Sequence, residues 1–331
     1  MDKAALLAAK LRGLARAAGV DDLQTVVFPG GAAALARASD GGGSSLWVLA
    51  GDLGARALGP ALALMLRHRA NSVDLLVDDP ADATTAARRG SLFAVPVTVH
   101  EIRGARLEAV GGFSGLARDP LKPPVAGSWV ETIERAGADA VFEHGILRAE
   151  VRGLEIGRVE EIDGEDRLSV GVGRHDREAH RMAHDTADPV VALATLVRQI
   201  TVDRRAGAPS GLATDLARER WLRWIACRQP ELVGARRLTP VDPPDERTDL
   251  RMVSIAPAVG ETVDGAGAVF AFSVGIDPNL VPAAADVDPT RELVLVVPEG
   301  DETGITTNLT GLLKQPARIR TVPVDWPAMG D

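Results

Sequence analysis

The chain has 331 residues, 46% of them hydrophobic, with a formal net charge of -9 and a single cysteine, enough apolar content to bury a large core in two or more lobes. One cysteine excludes an internal disulfide framework and a cysteine-based zinc site. No apolar run reaches the ~18 residues of a membrane span, and the N-terminus lacks the basic start and apolar segment of a secretory signal, so the expected location is cytoplasmic with no membrane partner.

Asp2 is placed to cap a first helix, whose Leu7, Leu11, Leu14 and Ala18 make one apolar stripe before Gly19 closes it. Residues 23–28 and 32–36 read as short strands, followed by the turn-rich SDGGGSS. The run LWVLA at 46–50 is apolar throughout and predicts a strand covered on both faces. A second helix bears Leu58, Ala61, Leu62 and Met65, and VDLLVDD, ATTAARRGSLF and PVTVHEI then read as strand, helix and strand. Strands joined through helices are expected to be parallel.

Three prolines and no apolar period mark a boundary at LARDPLKPPVAGS. Ser128 and Glu131 fit a capping box, and residues 141–172 read as three antiparallel strands with turns at Gly153 and Asp163-Gly164. Asp188-Pro189 is a helix start, and a further helix carries Trp221, Trp224 and Ile225. Cys227 in that helix is expected to be a buried, inert thiol. The last part then follows the order of the first. VDGAGA, AVFAFSV and a helix with Leu280, Pro282 and Ala283 match SDGGGSS, LWVLA and the helix with Leu58, Pro60 and Ala61. An internal repeat is expected.

These elements predict an α/β protein: two related lobes with mixed or parallel sheets flanked by helices, around a central antiparallel three-stranded segment with helices. The expected division is an N-terminal lobe 1–115, a linker 116–128, a central part 129–248 and a C-terminal lobe 249–331 that repeats the first.

This order, a helix, three strands, a helix and a strand, resembles the restriction-endonuclease-like fold of the PD-(D/E)XK nucleases. The likeness covers residues 1 to about 110 and, less fully, 129–331. It implies a metal-dependent nuclease with an Asp on the second strand and an E-x-K on the third, where carboxylates hold the metal and the lysine positions water. LWVLA, AVFAFSV and LSVGV supply no such set, so the resemblance implies a scaffold without its chemistry. The bias of Arg over Lys also resembles proteins of high-GC bacteria, a likeness that implies no activity.

Three of the six histidines fall within RLSVGVGRHDREAHRMAH, residues 167–184. A strand that passes through glycine into a helix start leaves backbone N–H groups free for an anion, with Gly171, Gly173, Arg174 and Arg177 as its site. On the same helix Asp176, His180 and His184 share one face at i, i+4 and i+8, the ligand types of a divalent metal site, although the neighbouring arginines oppose a cation. Asp78, Asp79, Glu299 and Asp301 at strand ends are read as helix caps.

The resulting expectation is a non-catalytic binding or assembly protein without a cofactor. A metal-dependent phosphoester hydrolase, with Glu150 or Glu155 as base, is the alternative, and an anion or nucleotide binder the second. Its partners are expected to be a protein or a small anionic ligand, with homo-oligomerisation left open. The negative charge argues against nucleic acid as the main partner, as does 3% aromatic content without tyrosine.

Overall fold

The computed structural model describes residues 2–37, 43–111, 127–183, 188–247 and 249–330. Most of the turn SDGGGSS and of the expected linker 116–128 therefore lies outside the described residues.

Asp2 caps α1 (Lys3–Ala17) by accepting the Ala4 N–H. An antiparallel meander follows, β1 (Leu23–Val26), β2 (Ala32–Arg37) and β3 (Ser44–Leu49). After a 3-10 segment come α2 (Leu58–His68), β4 (Ser72–Val77), α3 (Pro80–Gly90), β5 (Val97–Arg103) and β6 (Arg106–Val110). β4 and β5 extend the sheet in parallel and β6 closes it antiparallel, leaving six strands in chain order. Trp47 and Leu49 pack on Leu11 and Leu14 of α1, while Leu46 and Val48 are fully buried on the opposite side of the pleat. β3 is thus covered on both faces, as its unbroken apolar run requires.

After α4 (Gly127–Arg135) a second sheet forms from β7 (Asp139–Glu143), β8 (Ile146–Val151), β9 (Leu154–Ile162) and β10 (Glu165–Val170). All three of its hairpins turn on two residues with positive φ: His144-Gly145, Arg152-Gly153 and Asp163-Gly164. The mirror-image turn that suits a right-twisted hairpin has this geometry. The central segment therefore has four strands rather than three. His144-Gly145 divides the expected first strand, and histidine ahead of glycine is a weaker turn signal than Asp-Gly. Ser128, expected as a cap, lies inside α4 and accepts from Thr132 through its carbonyl.

Next come α5 (Gly173–Ala183), α6 (Pro189–Asp203), capped by Asp188, then α7 (Leu212–Asp215) and α8 (Arg218–Arg228). The chain then runs through β11 (Ala235–Pro240), β12 (Ala256–Thr262), β13 (Gly267–Phe272), α9 (Leu280–Ala285), β14 (Glu292–Pro298), α10 (Gly304–Gly311) and β15 (Arg318–Val322). These strands form a five-stranded sheet, again in chain order.

The series α-β-β-β-α-β-α-β therefore occurs twice, from α1 to β5 and from α8 to β15. Equivalent bonds recur within it. Ala50, just after β3, donates to Leu76 of β4 at 2.9 Å, and Ser273, just after β13, donates to Val296 of β14 at 3.0 Å. The loops after α3 and α10 pair with each other through a Phe93–Leu313 bridge. Ala94 donates to Leu312 at 2.8 Å and Lys314 donates to Leu92 at 2.9 Å, a pairing unchanged if the two loops are exchanged.

Contacts divide the chain into two compact units. The first holds residues 1–117, 276–293 and 302–318, the second 118–275, 294–301 and 319–331. This division differs from the expected lobe at 249–331, whose residues are shared between the units. α9 and α10 pack against α2 and α3 in the first, whereas β12 and β13 belong to the second. Local sequence order could not show that two helices of the late segment would join helices of the early one.

Candidate functional site

The turn from β10 into α5 is built on glycine. Gly171 has φ 146 and donates to Ile156 at 2.8 Å. A Cβ there would lie 2.7 Å from the Arg177 backbone nitrogen, so glycine is what lets the helix start fold back over the strand end. Asp176 then reaches back across the first turn to accept the Val172 N–H at 2.7 Å. The helix start already holds one carboxylate. The amides of Gly171 and Val172 are thus taken within the turn, and side chains add the charge around it.

Those side chains are arginines. In the second unit a cavity of about 770 Å³ is lined by Arg148, Arg158, Arg174, Arg177, Arg247 and Arg251, together with Gly173, His175 and several carboxylates. Its deep wall is centred on Glu155. This carboxylate, 1% exposed, accepts Arg148 on one oxygen and, on the other, Arg158 at 2.7 Å and Arg177 at 3.0 Å. Glu160, partly exposed, stands 3.8 Å from both Arg158 and Arg177. Three guanidiniums around one buried carboxylate leave positive charge in surplus, which is costly away from water unless an anion balances it. Burial accordingly pulls the Arg177 guanidinium down, with Arg158 adding to the effect.

The strand register produces this crowding. Arg148 on β8 lies directly opposite Arg158 on β9, and Glu150 opposite Glu155, across a register shift at Ala149 and Glu150. Like charges facing each other across strands are unfavourable without a bridging counter-charge. Glu155 supplies that bridge between Arg148 and Arg158. Two polar groups on the cavity walls remain without a partner among the described residues, the buried Nε–H groups of Arg148 and Arg247. Arg251 is exposed, and its guanidinium has no partner among the described residues. Arg174 is well exposed and pairs with Glu178 at 2.9 Å.

Glu150 belongs to a second buried network. Arg220 of α8 donates to Glu150 and to Glu143 of β7, all three almost fully buried. Burial pushes the Glu143 carboxyl up, but the guanidinium of Arg220, helped by Arg223 and Arg148, holds it down to about 2. Glu155 is also pushed up by burial and brought below its usual range by Arg148, Arg158 and Arg177. A carboxylate held this way is a poor proton acceptor. Glu155 is thereby disfavoured in the role of base, and Glu150 is ion-paired to Arg220.

Glu143 and Glu155 both have folded-state values below their unfolded ones. Their stabilisation is therefore complete above the unfolded value of 4.5 and is lost as pH falls through the folded value. Urea unfolding is expected to show stability level from pH 7 to about 5, then falling steadily toward pH 2. Glu143 alone accounts for ~3 kcal/mol of that loss. A midpoint unchanged between pH 7 and pH 3 would contradict this.

Of the expected metal ligands, Asp176 serves the Val172 cap, while His184 and the side chain of His180 lie outside the described residues. Among the described residues no group of three or more His, Cys, Asp or Glu is placed to hold a metal ion. Asp79 caps α3, Asp78 pairs with Lys10 at 2.5 Å, and Asp301 accepts the Gly275 N–H at 2.7 Å. Thr303, not an acid, caps α10. Reading the sequence missed Arg148, Arg158, Arg247 and Arg251, although facing arginines on paired strands are a signal once the register is known. No helix among the described residues is long and apolar enough to cross a membrane. No family model matches the chain, and neither a curated protein nor a solved structure does.

Proposed function

We propose that this is a non-catalytic binding protein whose ligand is a small anion held in the arginine-lined cavity. The observation that carries the reading is the convergence of Arg148, Arg158 and Arg177 on the single buried carboxylate of Glu155. Of the site read from the sequence, Gly173, Arg174 and Arg177 line this cavity, while Gly171 lets α5 approach it. An internal duplication is part of the proposal, supported by the repeated order of elements and the reciprocal loop bonds. The cavity is drawn from what the N-terminal copy lacks: the inserted sheet β7–β10 with α5, and the connector 241–255, where the matching connector is only 27–31. β3 and β13 carry neither acid nor lysine, which supports a nuclease-like scaffold used without nuclease chemistry.

A ligand that binds only the folded state raises its melting temperature. Thermal unfolding against inorganic phosphate, sulfate and small carboxylates should therefore rise by roughly 5 °C or more at saturation for at least one of them. Arg177→Lys keeps the charge but not the fork and is expected to remove most of the shift, with Arg174→Ala reducing it. If no anion moves the transition, the reading fails.

A further inference from the structure

We infer that the anion is an aliphatic dicarboxylate rather than a nucleotide or a polyphosphate, an inference that rests on the anion-binding reading and narrows it. Charge decides the first half of this. Among the described residues around the cavity six guanidiniums face five carboxylates, a surplus of one positive charge, and the group of Arg148, Arg158 and Arg177 with Glu155 and Glu160 likewise holds a surplus of one. A ligand of one or two negative charges balances such a wall. A di- or triphosphate carries more charge than the wall can offset, and it would sit among Glu160, Glu178, Glu246 and Asp249. A carboxylate also matches the planar fork of a guanidinium, two N–H groups to two oxygens.

The shape of the lining decides the second half. Among the described residues no Phe or Trp lines the cavity, so an aromatic base would find no face there to stack on. The apolar part consists of Val172, Leu212, Leu216 and Leu250, suited to a short run of methylenes. The arginines come from two separate stretches. Arg148, Arg158, Arg174 and Arg177 belong to β8, β9 and α5, while Arg247 and Arg251 belong to the connector before β12. Two stretches of arginine with an aliphatic lining match a molecule with an acid at each end. A volume of about 770 Å³ falls within the roughly 300–1,000 Å³ of small-molecule sites.

The test is isothermal titration calorimetry on the full chain with succinate, glutarate and adipate, monomethyl succinate, inorganic phosphate and ATP. One dicarboxylate is expected to bind at least ~10-fold more tightly than monomethyl succinate, equivalent to one lost charge-assisted contact, and ATP no more tightly than phosphate. Arg251→Ala, at an exposed lining position outside the buried network, should cut the ratio of dicarboxylate to monomethyl succinate affinity at least severalfold. Tightest binding of ATP, or equal binding of mono- and dicarboxylates, overturns the inference but leaves an anion site standing. No binding of any of these compounds, in a protein that melts cooperatively, overturns both.

Discussion

Arg220→Met is expected to destabilise the protein by about 3–5 kcal/mol, because it removes one partner of a buried ion group and leaves the others behind. Arg220 is 3% exposed and reaches from α8 to carboxylates on two neighbouring strands, Glu143 and Glu150. Without it these two acids lose their direct ion pair and keep the more distant influence of Arg223 and Arg247, in a closed interior where an unpaired carboxylate is costly. The turn residue Gly153 presses on this helix, where a Cβ would lie 2.5 Å from the Arg220 carbonyl carbon, so the backbone has little room to admit water. The measurement is urea unfolding followed by circular dichroism at pH 7. The cause is separable from lost packing: Arg220→Met combined with Glu143→Leu and Glu150→Leu should recover most of the loss, since well-packed apolar replacements of buried ion groups are often neutral or better. A single-variant cost below about 1 kcal/mol, in the range of exposed pairs, would refute the account.

Arg204→Met is expected to cost about 3–4 kcal/mol and to weaken the anion site as well. Its guanidinium, fully buried, donates to the carbonyls of Arg152, Ala213, Leu216 and Ala217 and lies 4.7 Å from the centre of the Trp221 ring. One side chain thus satisfies four backbone acceptors where α6 ends and the chain passes through α7 to α8. Each acceptor left bare costs ~1–3 kcal/mol less whatever water regains. Lysine cannot replace the fork, so Arg204→Lys should lose nearly as much. The lost bonds hold Leu216 and the turn bearing Leu212, both lining the cavity. Anion affinity should therefore fall in Arg204→Met even where the fold survives. A variant that loses stability but binds the anion unchanged would separate this anchor from the site.

The caps and turns were legible because their causes are local. Asp2, Asp79 and Asp188 each accept an N–H two residues ahead, and Asp163-Gly164 makes a hairpin turn from two positive φ values. Each of these needs only four or five consecutive residues. The apolar run at 46–50 was legible for a related reason: a strand that alternates no polar side has no face for water. The arginine cluster was not legible. Arg148, Glu155 and Arg177 become neighbours through two strand registers and a helix that folds back at Gly171. A shift of one residue in the β8–β9 pairing would send Arg148 and Glu155 to opposite faces of the sheet.

From sequence alone followed the class of the chain, an α/β protein with mixed sheets, and the order of most of its elements, though not β6, β11 or the division between β7 and β8. Periodicity and turn chemistry determine such things within windows shorter than the elements themselves. Tertiary structure alone decided where charge accumulates and which helices share a unit. A surplus of guanidiniums around Glu155 exists only once strand register and helix approach bring distant residues to contact, and only burial makes that surplus demand a counter-ion.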